Sequence, residues 1–185
     1  MTPLLVLLDL SSAFDTVDHS TLLSILQARF SVTGQSLGWF RRSYLTDRAQ
    51  IFTTQCSQTP PIPLTSGVPP CLGPMLFATY TEGTIYTSVF DAHVAQYHLF
   101  ADDAQPHECH DHCPVSAASS LVTRLLSCVT DLANSYASLR LQLHPPKTEF
   151  IWFGTRHSLA KLPTECRSLT VCSTLARSPV PVSII

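Results

Sequence analysis

Three acids stand where apolar runs end. Asp9 follows Leu4-Leu5-Val6-Leu7-Leu8, and the adjacent pair Asp102-Asp103 follows Tyr97 to Ala101. A carboxylate at the end of a buried strand is costly unless it is paired, solvated or bound to a cation. Two such strand ends lying side by side can hold two Mg²⁺ ions roughly 3.5–4 Å apart, an arrangement that stabilises the attacking and leaving oxygens of an in-line phosphoryl displacement. Hard cations prefer oxygen ligands, which accounts for carboxylates rather than His or Cys at these positions. The plain alternative is a solvated turn or a helix cap, and spacing alone leaves both readings open. Asp15, Asp18 and His19 read as caps.

A second constellation is His107-Glu108-Cys109-His110-Asp111-His112-Cys113. Cys109 and Cys113 with one or two of the histidines offer ligands for Zn²⁺. Zinc sites usually join two distant ligand pairs, and no second pair follows nearby, so a polar loop is expected and zinc is not. A small zinc-dependent interaction module, or a purely structural remnant, is the alternative to a carboxylate site.

The elements that must position these groups follow from periodicity. Leu4 to Leu10 reads as a fully buried strand. Leu22, Leu23, Leu26 and Phe30 have helical spacing, with Asp18 or Ser20 as cap, and Leu37, Phe40 and Tyr44 mark a second helix after Gly34. Thr59 to Pro74 holds six prolines and two glycines and must be a loop or extended connection. Leu76, Phe77 and Tyr80 begin another helix. Ala118, Leu121, Val122, Leu125, Val129, Leu132, Ala133 and Tyr136 form the apolar stripe of one long helix, with Ser116 as its cap. Leu139, Leu141 and Leu143 alternate as a strand, Pro145-Pro146 turns the chain, and Glu149 to Phe153 returns as the other arm of a hairpin. The order predicts a two-layer α+β domain with helices on one face of a mainly antiparallel sheet. Residues 1–156 make that domain, and residues 157–185 a poorly defined tail.

Composition narrows the functions. Of 185 residues, 45% are hydrophobic and 13% charged, so most of the chain should fold. Eleven basic residues face thirteen acidic ones, without the basic surplus of a stand-alone nucleic-acid binder. Arg41, Arg42 and Arg48 form the one basic group and read as a solvated helix face. The opening apolar run is too short to span a membrane and lacks a charged leader. Seven scattered cysteines fit free thiols in an intracellular protein of the cytoplasm or nucleus, not a secreted one.

The wording around the acids adds a resemblance. Leu4 to His19 (LLVLLDLSSAFDTVDH) looks like the first catalytic motif of reverse transcriptases from non-LTR, LINE-type retrotransposons. Phe100-Ala101-Asp102-Asp103 is similar to their Tyr/Phe-Ala-Asp-Asp signature. Pro146-Lys147-Thr148-Glu149-Phe150 with Phe153-Gly154 resembles their downstream lysine motif, and Trp39 to Arg48 their linking segment. Four motifs in the right order cover about Leu4 to Arg156. The resemblance implies a reverse-transcriptase palm, a ferredoxin-like antiparallel sheet with helices on one face. It implies Mg²⁺ or Mn²⁺ on Asp9, Asp102 and Asp103, with Lys147 near the incoming triphosphate as a proton donor to pyrophosphate. Phe14 would pack under the sugar, and Gly67 and Pro69 would lie in the loop that approaches the nucleotide. The implied partners are an RNA template, a DNA primer and a dNTP, with no membrane.

Two departures shape the expected activity. Gly67-Val68-Pro69-Pro70-Cys71-Leu72-Gly73-Pro74 stands where the family has Gly-Val-Pro-Gln-Gly-Ser-Val-Leu-Gly-Pro, so the loop is two residues shorter and proline replaces a flexible, donor-bearing segment. Fingers and thumb are expected to be missing. The chain is therefore expected to be a retrotransposon-derived polymerase fragment that is inactive alone, a pseudoenzyme. Pro106, soon after the acid pair, is expected to end the return strand or confine it to a sheet edge.

Overall fold

The computed structural model describes residues 3–82, 87–93, 95–100, 102–108, 118–167, 169–172, 177–180 and 182–184. In chain order the elements are β1 (Leu4–Leu7), α1 (His19–Phe30), α2 (Gly34–Trp39), a π-helical turn (Phe40–Tyr44), β2 (Ala49–Gln50), β3 (Ile62–Pro63) and α3 (Gly73–Thr81). They continue with α4 (Thr87–His93), β4 (Gln96–Phe100), β5 (Asp103–Glu108), α5 (Ala118–Ser138), a 3₁₀ turn (Pro145–Lys147), β6 (Glu149–Trp152) and α6 (Arg156–Ala160). The last are a second 3₁₀ turn (Thr164–Arg167), β7 (Leu169–Cys172), β8 (Arg177–Val180) and β9 (Val182–Ile184). Packing divides them into two compact units, Met1–Ser11 with Thr81–Ile185, and Ser12–Tyr80.

The first unit is α+β. Its sheet has the order β4-β5-β1-β6-β9, antiparallel except for the parallel β6–β9 pair. The opening apolar run lies inside this sheet, but it is not buried on both faces. Leu4, Val6, Leu8 and Leu10 are buried, while Leu5, Leu7 and Asp9 point to the other, half-covered face. The twofold alternation of a strand sorts them, even though all but Asp9 are apolar. α5 matches its predicted stripe: all eight expected positions are buried, joined by Cys128. It packs against α4 and β5, and His93 Nε2 lies 2.7 Å from Asp131 Oδ2 between α4 and α5. Ser116 lies outside the described residues.

Two expectations are corrected here. Pro106 neither ends nor edges its strand; it sits in the middle of β5, between β4 and β1. The Ala104 N–H donates to the Leu8 carbonyl on β1 at 3.3 Å, and alternation aims the Pro106 nitrogen the same way. It has no hydrogen to give. The ladder to β1 accordingly pairs Leu4 with Glu108 and Leu5 with His107, lapses, and resumes only at Leu8–Ala104. The second correction concerns the hairpin expected between Leu139–Leu143 and Glu149–Phe153. Both segments pair with the N-terminal strand instead: β6 aligns Glu149 to Trp152 with Leu7 to Leu4, and Leu143 bridges Leu10. Pro145-Pro146 forms a 3₁₀ bulge between two stretches running the same way.

Part of the stretch after residue 156 packs as well. Leu159, Leu162 and Cys166 are buried, and β9 joins the sheet edge, where the Ser183 hydroxyl donates to Glu149.

The second unit is mainly helical. Asp18 caps α1, its carboxylate accepting from the Thr21 N–H at 2.8 Å. Leu22 and Leu26 are buried, but Phe30 is 47% exposed and does not join the core. β2 and β3 form a two-stranded ladder within the proline-rich connection. Leu76, Phe77 and Tyr80 of α3 are fully buried, as their spacing predicts.

Candidate functional site: a carboxylate row on the central strand

The sheet register sets the first three groups. β1 and β5 pair at Leu8–Ala104, with hydrogen bonds of 2.9 and 3.3 Å. One step further, Asp9 falls opposite Asp103 in a position without ladder bonds, where side chains of facing residues come closest. Asp102 is the last residue of the tight turn between β4 and β5, whose ladder closes at Phe100–Asp103. The two acidic strand ends are thus side by side.

On the other flank of β1, the 3₁₀ bulge supplies the remaining groups. Leu7 pairs with Glu149 and Leu10 with Leu143, so Leu8 and Asp9 face the longer segment His144 to Thr148. The surplus coils into Pro145–Lys147, closed by the Lys147 N–H donating to the His144 carbonyl at 3.0 Å. The His144 N–H donates to the Asp9 carbonyl at 2.9 Å. This coil brings the Lys147 Nζ to 3.2 Å from Asp9 Oδ2. The contact is an ion pair rather than a directed hydrogen bond, because the buried Oδ2 has no hydrogen-bond partner.

Crowding of like charge leaves a mark on Asp103. Partial burial, then Asp102, then Asp9 push its carboxyl above the ordinary 3.8, while Lys147 pulls it down. Between 3.8 and its higher folded value, the folded protein holds more protons than the unfolded chain. Stability from this group is therefore present in acid and lost as pH rises through the folded value. Asp103→Asn should remove that loss. The variant is expected to be more stable than the parent at pH 7, by about 0.2–1 kcal/mol, the scale of one cross-strand pair. The difference should vanish near pH 3, as urea unfolding at both pH values would show; a variant less stable at pH 7 would contradict the crowding.

Among the described residues, no three His, Cys, Asp or Glu side chains are disposed as a ready metal shell. The donor chemistry still suits a hard cation: Asp9 and Asp102 both act electrostatically on Asp103, and Asp9 Oδ2 is buried without a hydrogen bond, with the Lys147 ammonium 3.2 Å away. Asp9, Asp102 and Asp103 are the residues that would hold it.

The other site residues expected from sequence, Phe14, Gly67 and Pro69, belong to the helical unit and are gathered there. Gly67 has φ +82°, and its N–H donates to the Val17 carbonyl at 2.8 Å. Its own carbonyl accepts from Arg48 at 2.8 Å and contacts His19 Nε2 at 2.8 Å. Arg48 is therefore a loop anchor rather than part of a solvated face. The Tyr44 hydroxyl donates to the Pro69 carbonyl at 3.2 Å and accepts from the Leu72 N–H at 3.0 Å. Phe14 packs on Phe77, ring centroids 5.0 Å apart, and with Asp15, Val68, Pro70, Gly73 and Pro74 lines an open cavity of about 320 Å³.

His144 was not singled out by its sequence context. Its place beside Asp9 depends on the Leu10–Leu143 bridge, which no local pattern announces. Cys128 and Cys166 offer little nucleophilic chemistry: burial, and secondarily Asp131, push the Cys128 thiol up to about 12, and burial raises Cys166. Cys109 to Cys113 lie outside the described residues. No helix among the described residues is long and apolar enough to cross a membrane. No family model matches this chain, and no curated protein matches its sequence.

Proposed function

We propose that this chain is the palm portion of a reverse transcriptase of the non-LTR retrotransposon kind, with the two-layer ferredoxin-like architecture of that domain. The observation that carries the reading is the apposition of Asp9 and Asp103 on adjacent strands, with Asp102 beside them and the Lys147 ammonium against Asp9. A divalent cation, Mg²⁺ or Mn²⁺, would supply Lewis-acid stabilisation of charge on the phosphoryl oxygens. Asp9, Asp102 and Asp103 would be its carboxylate ligands. Lys147, with a side chain 65% exposed, is free to turn towards a triphosphate and donate a proton to departing pyrophosphate. By the resemblance alone, Phe14, Gly67 and Pro69 of the helical unit would meet the sugar and base of a dNTP joining a DNA primer on an RNA template.

Templated synthesis by the chain as it stands is expected to be undetectable. The Gly67–Pro74 loop has Pro69-Pro70 where the resembled family has a glycine and amide donors, and positioning supplies much of the rate in phosphoryl transfer. What remains is cation binding. Calorimetric titration with Mn²⁺ is expected to show one Asp-dependent event, weakened at least tenfold in Asp9→Asn and in Asp102→Asn. Unchanged binding in both variants would sink the assignment. Incorporation of dNTPs on an RNA template, abolished by Asp103→Ala, would instead establish a working polymerase.

A further inference from the structure

We propose that His144 is a nitrogen ligand of the cation held at Asp9, and that it makes the site select Mn²⁺-like transition ions over Mg²⁺. The inference rests on the cation-binding reading above and specifies the class of ion. Among the described residues, two buried side-chain polar atoms lack any hydrogen-bond partner: Asp9 Oδ2 and His144 Nδ1. They belong to facing residues. The Leu10–Leu143 bridge places Asp9 directly opposite His144, and the His144 N–H to Asp9 carbonyl bond of 2.9 Å ties the two backbones. Facing residues of an antiparallel pair project from the same side of the sheet, their Cβ atoms about 4.5–5.5 Å apart.

Asp103, Asp9 and His144 therefore form one row across three adjacent chain segments. Leaving a buried polar atom without a hydrogen bond costs about 1–3 kcal/mol; Asp9 Oδ2 offsets part of that through its ion pair with Lys147, whereas His144 Nδ1 has no hydrogen-bond partner. Carboxylate oxygen and imidazole nitrogen both offer lone pairs, and a cation satisfies both. Lys147 does not fill this role: its contact with Asp9 is an ion pair without hydrogen-bond geometry, and its side chain is 65% exposed and can turn to solvent. Imidazole also discriminates among ions. Mg²⁺ favours oxygen in a near-ideal octahedron, whereas transition ions accept nitrogen readily.

The test uses the full chain with Mn²⁺ and Mg²⁺. Calorimetry gives the Mn²⁺ affinity, competition gives that of Mg²⁺, and pulsed electron paramagnetic resonance of bound Mn²⁺ reports directly bonded ¹⁴N. The expected result is a preference for Mn²⁺ of at least tenfold and a ¹⁴N coupling from one imidazole. In His144→Asn the coupling should disappear and the preference fall several-fold, with Mg²⁺ affinity changed less than twofold. Asp9-dependent Mn²⁺ binding without nitrogen coupling would overturn this inference alone and assign the buried nitrogen to a water molecule. Absence of any Asp9-dependent binding would overturn it together with the cation site. The coupling in the parent chain decides the matter even if His144→Asn fails to fold.

Discussion

Trp152→Ala should lower the stability of the sheet unit by about 3–5 kcal/mol, the usual range for removing a large aromatic from a core. Trp152 is the largest of the fully buried side chains. It lies in β6, opposite Leu4 of β1 and in register with Ile184 of β9, so it is held from both flanks. Its indole Nε1–H donates to the Cys166 carbonyl at 3.2 Å, a buried bond that ties the second 3₁₀ turn to the sheet. Truncation opens a cavity and orphans that carbonyl. A typical domain holds only about 5–15 kcal/mol in reserve, so the variant should unfold at markedly lower urea concentration. Trp152→Phe keeps most of the volume and should recover more than half of the loss. A change below 1 kcal/mol in Trp152→Ala would remove this residue from the core.

Gly67→Ala is expected to cost about 1–3 kcal/mol in the helical unit. Two separate effects add. The φ of +82° disfavours any side chain, and a Cβ there would stand 3.0 Å from Asp15 Cα, Asp15 O and Phe14 O, all backbone atoms that cannot rotate away. Either the loop lifts, breaking the Gly67–Val17 and Val68–Phe14 bonds of 2.8 and 3.0 Å, or the Phe14–Asp15 turn shifts. Gly34→Ala is the control. It also has positive φ, +57°, but nothing within 4 Å of a new Cβ, so it should lose only about 1 kcal/mol or less. Equal losses at the two positions, read from thermal unfolding, would show that the close approach at Gly67 contributes nothing.

Strong local signals were legible without coordinates. The α5 stripe, the Asp18 cap and the proline-rich connection each depend on neighbours a few residues away, and each is where its pattern placed it. The carboxylates Asp9, Asp102 and Asp103 were identifiable because acids ending apolar runs are unusual. What the pattern misplaced depended on partners distant in sequence. Leu139, Leu141 and Leu143 alternate like a hairpin arm, and all three are buried, yet only Leu143 bridges to another strand, and its partner is Leu10. Alternation tells which side faces the core, not which strand lies alongside. His144 was invisible for the same reason. Pro106 was misjudged because the rule against proline within sheets concerns the lost rung, and here the sheet simply runs with one rung missing.

The two-sidedness of the N-terminal strand has a consequence for how the acidic row comes into being. Asp9 and Asp103 repel each other, and nearly a hundred intervening residues must be looped out before they meet, at an entropic cost that grows only slowly with length. Their mutual charge supplies no drive for that encounter. The drive comes from the reverse side of the same strand, where Leu4, Val6, Leu8 and Leu10 leave water as the segment slots between its neighbours. The hairpin carrying Asp102 and Asp103 closes locally and can form early. The row is complete only when the N-terminal strand lies between β5 and β6, so the acidic face shares the stability of the sheet's central strand.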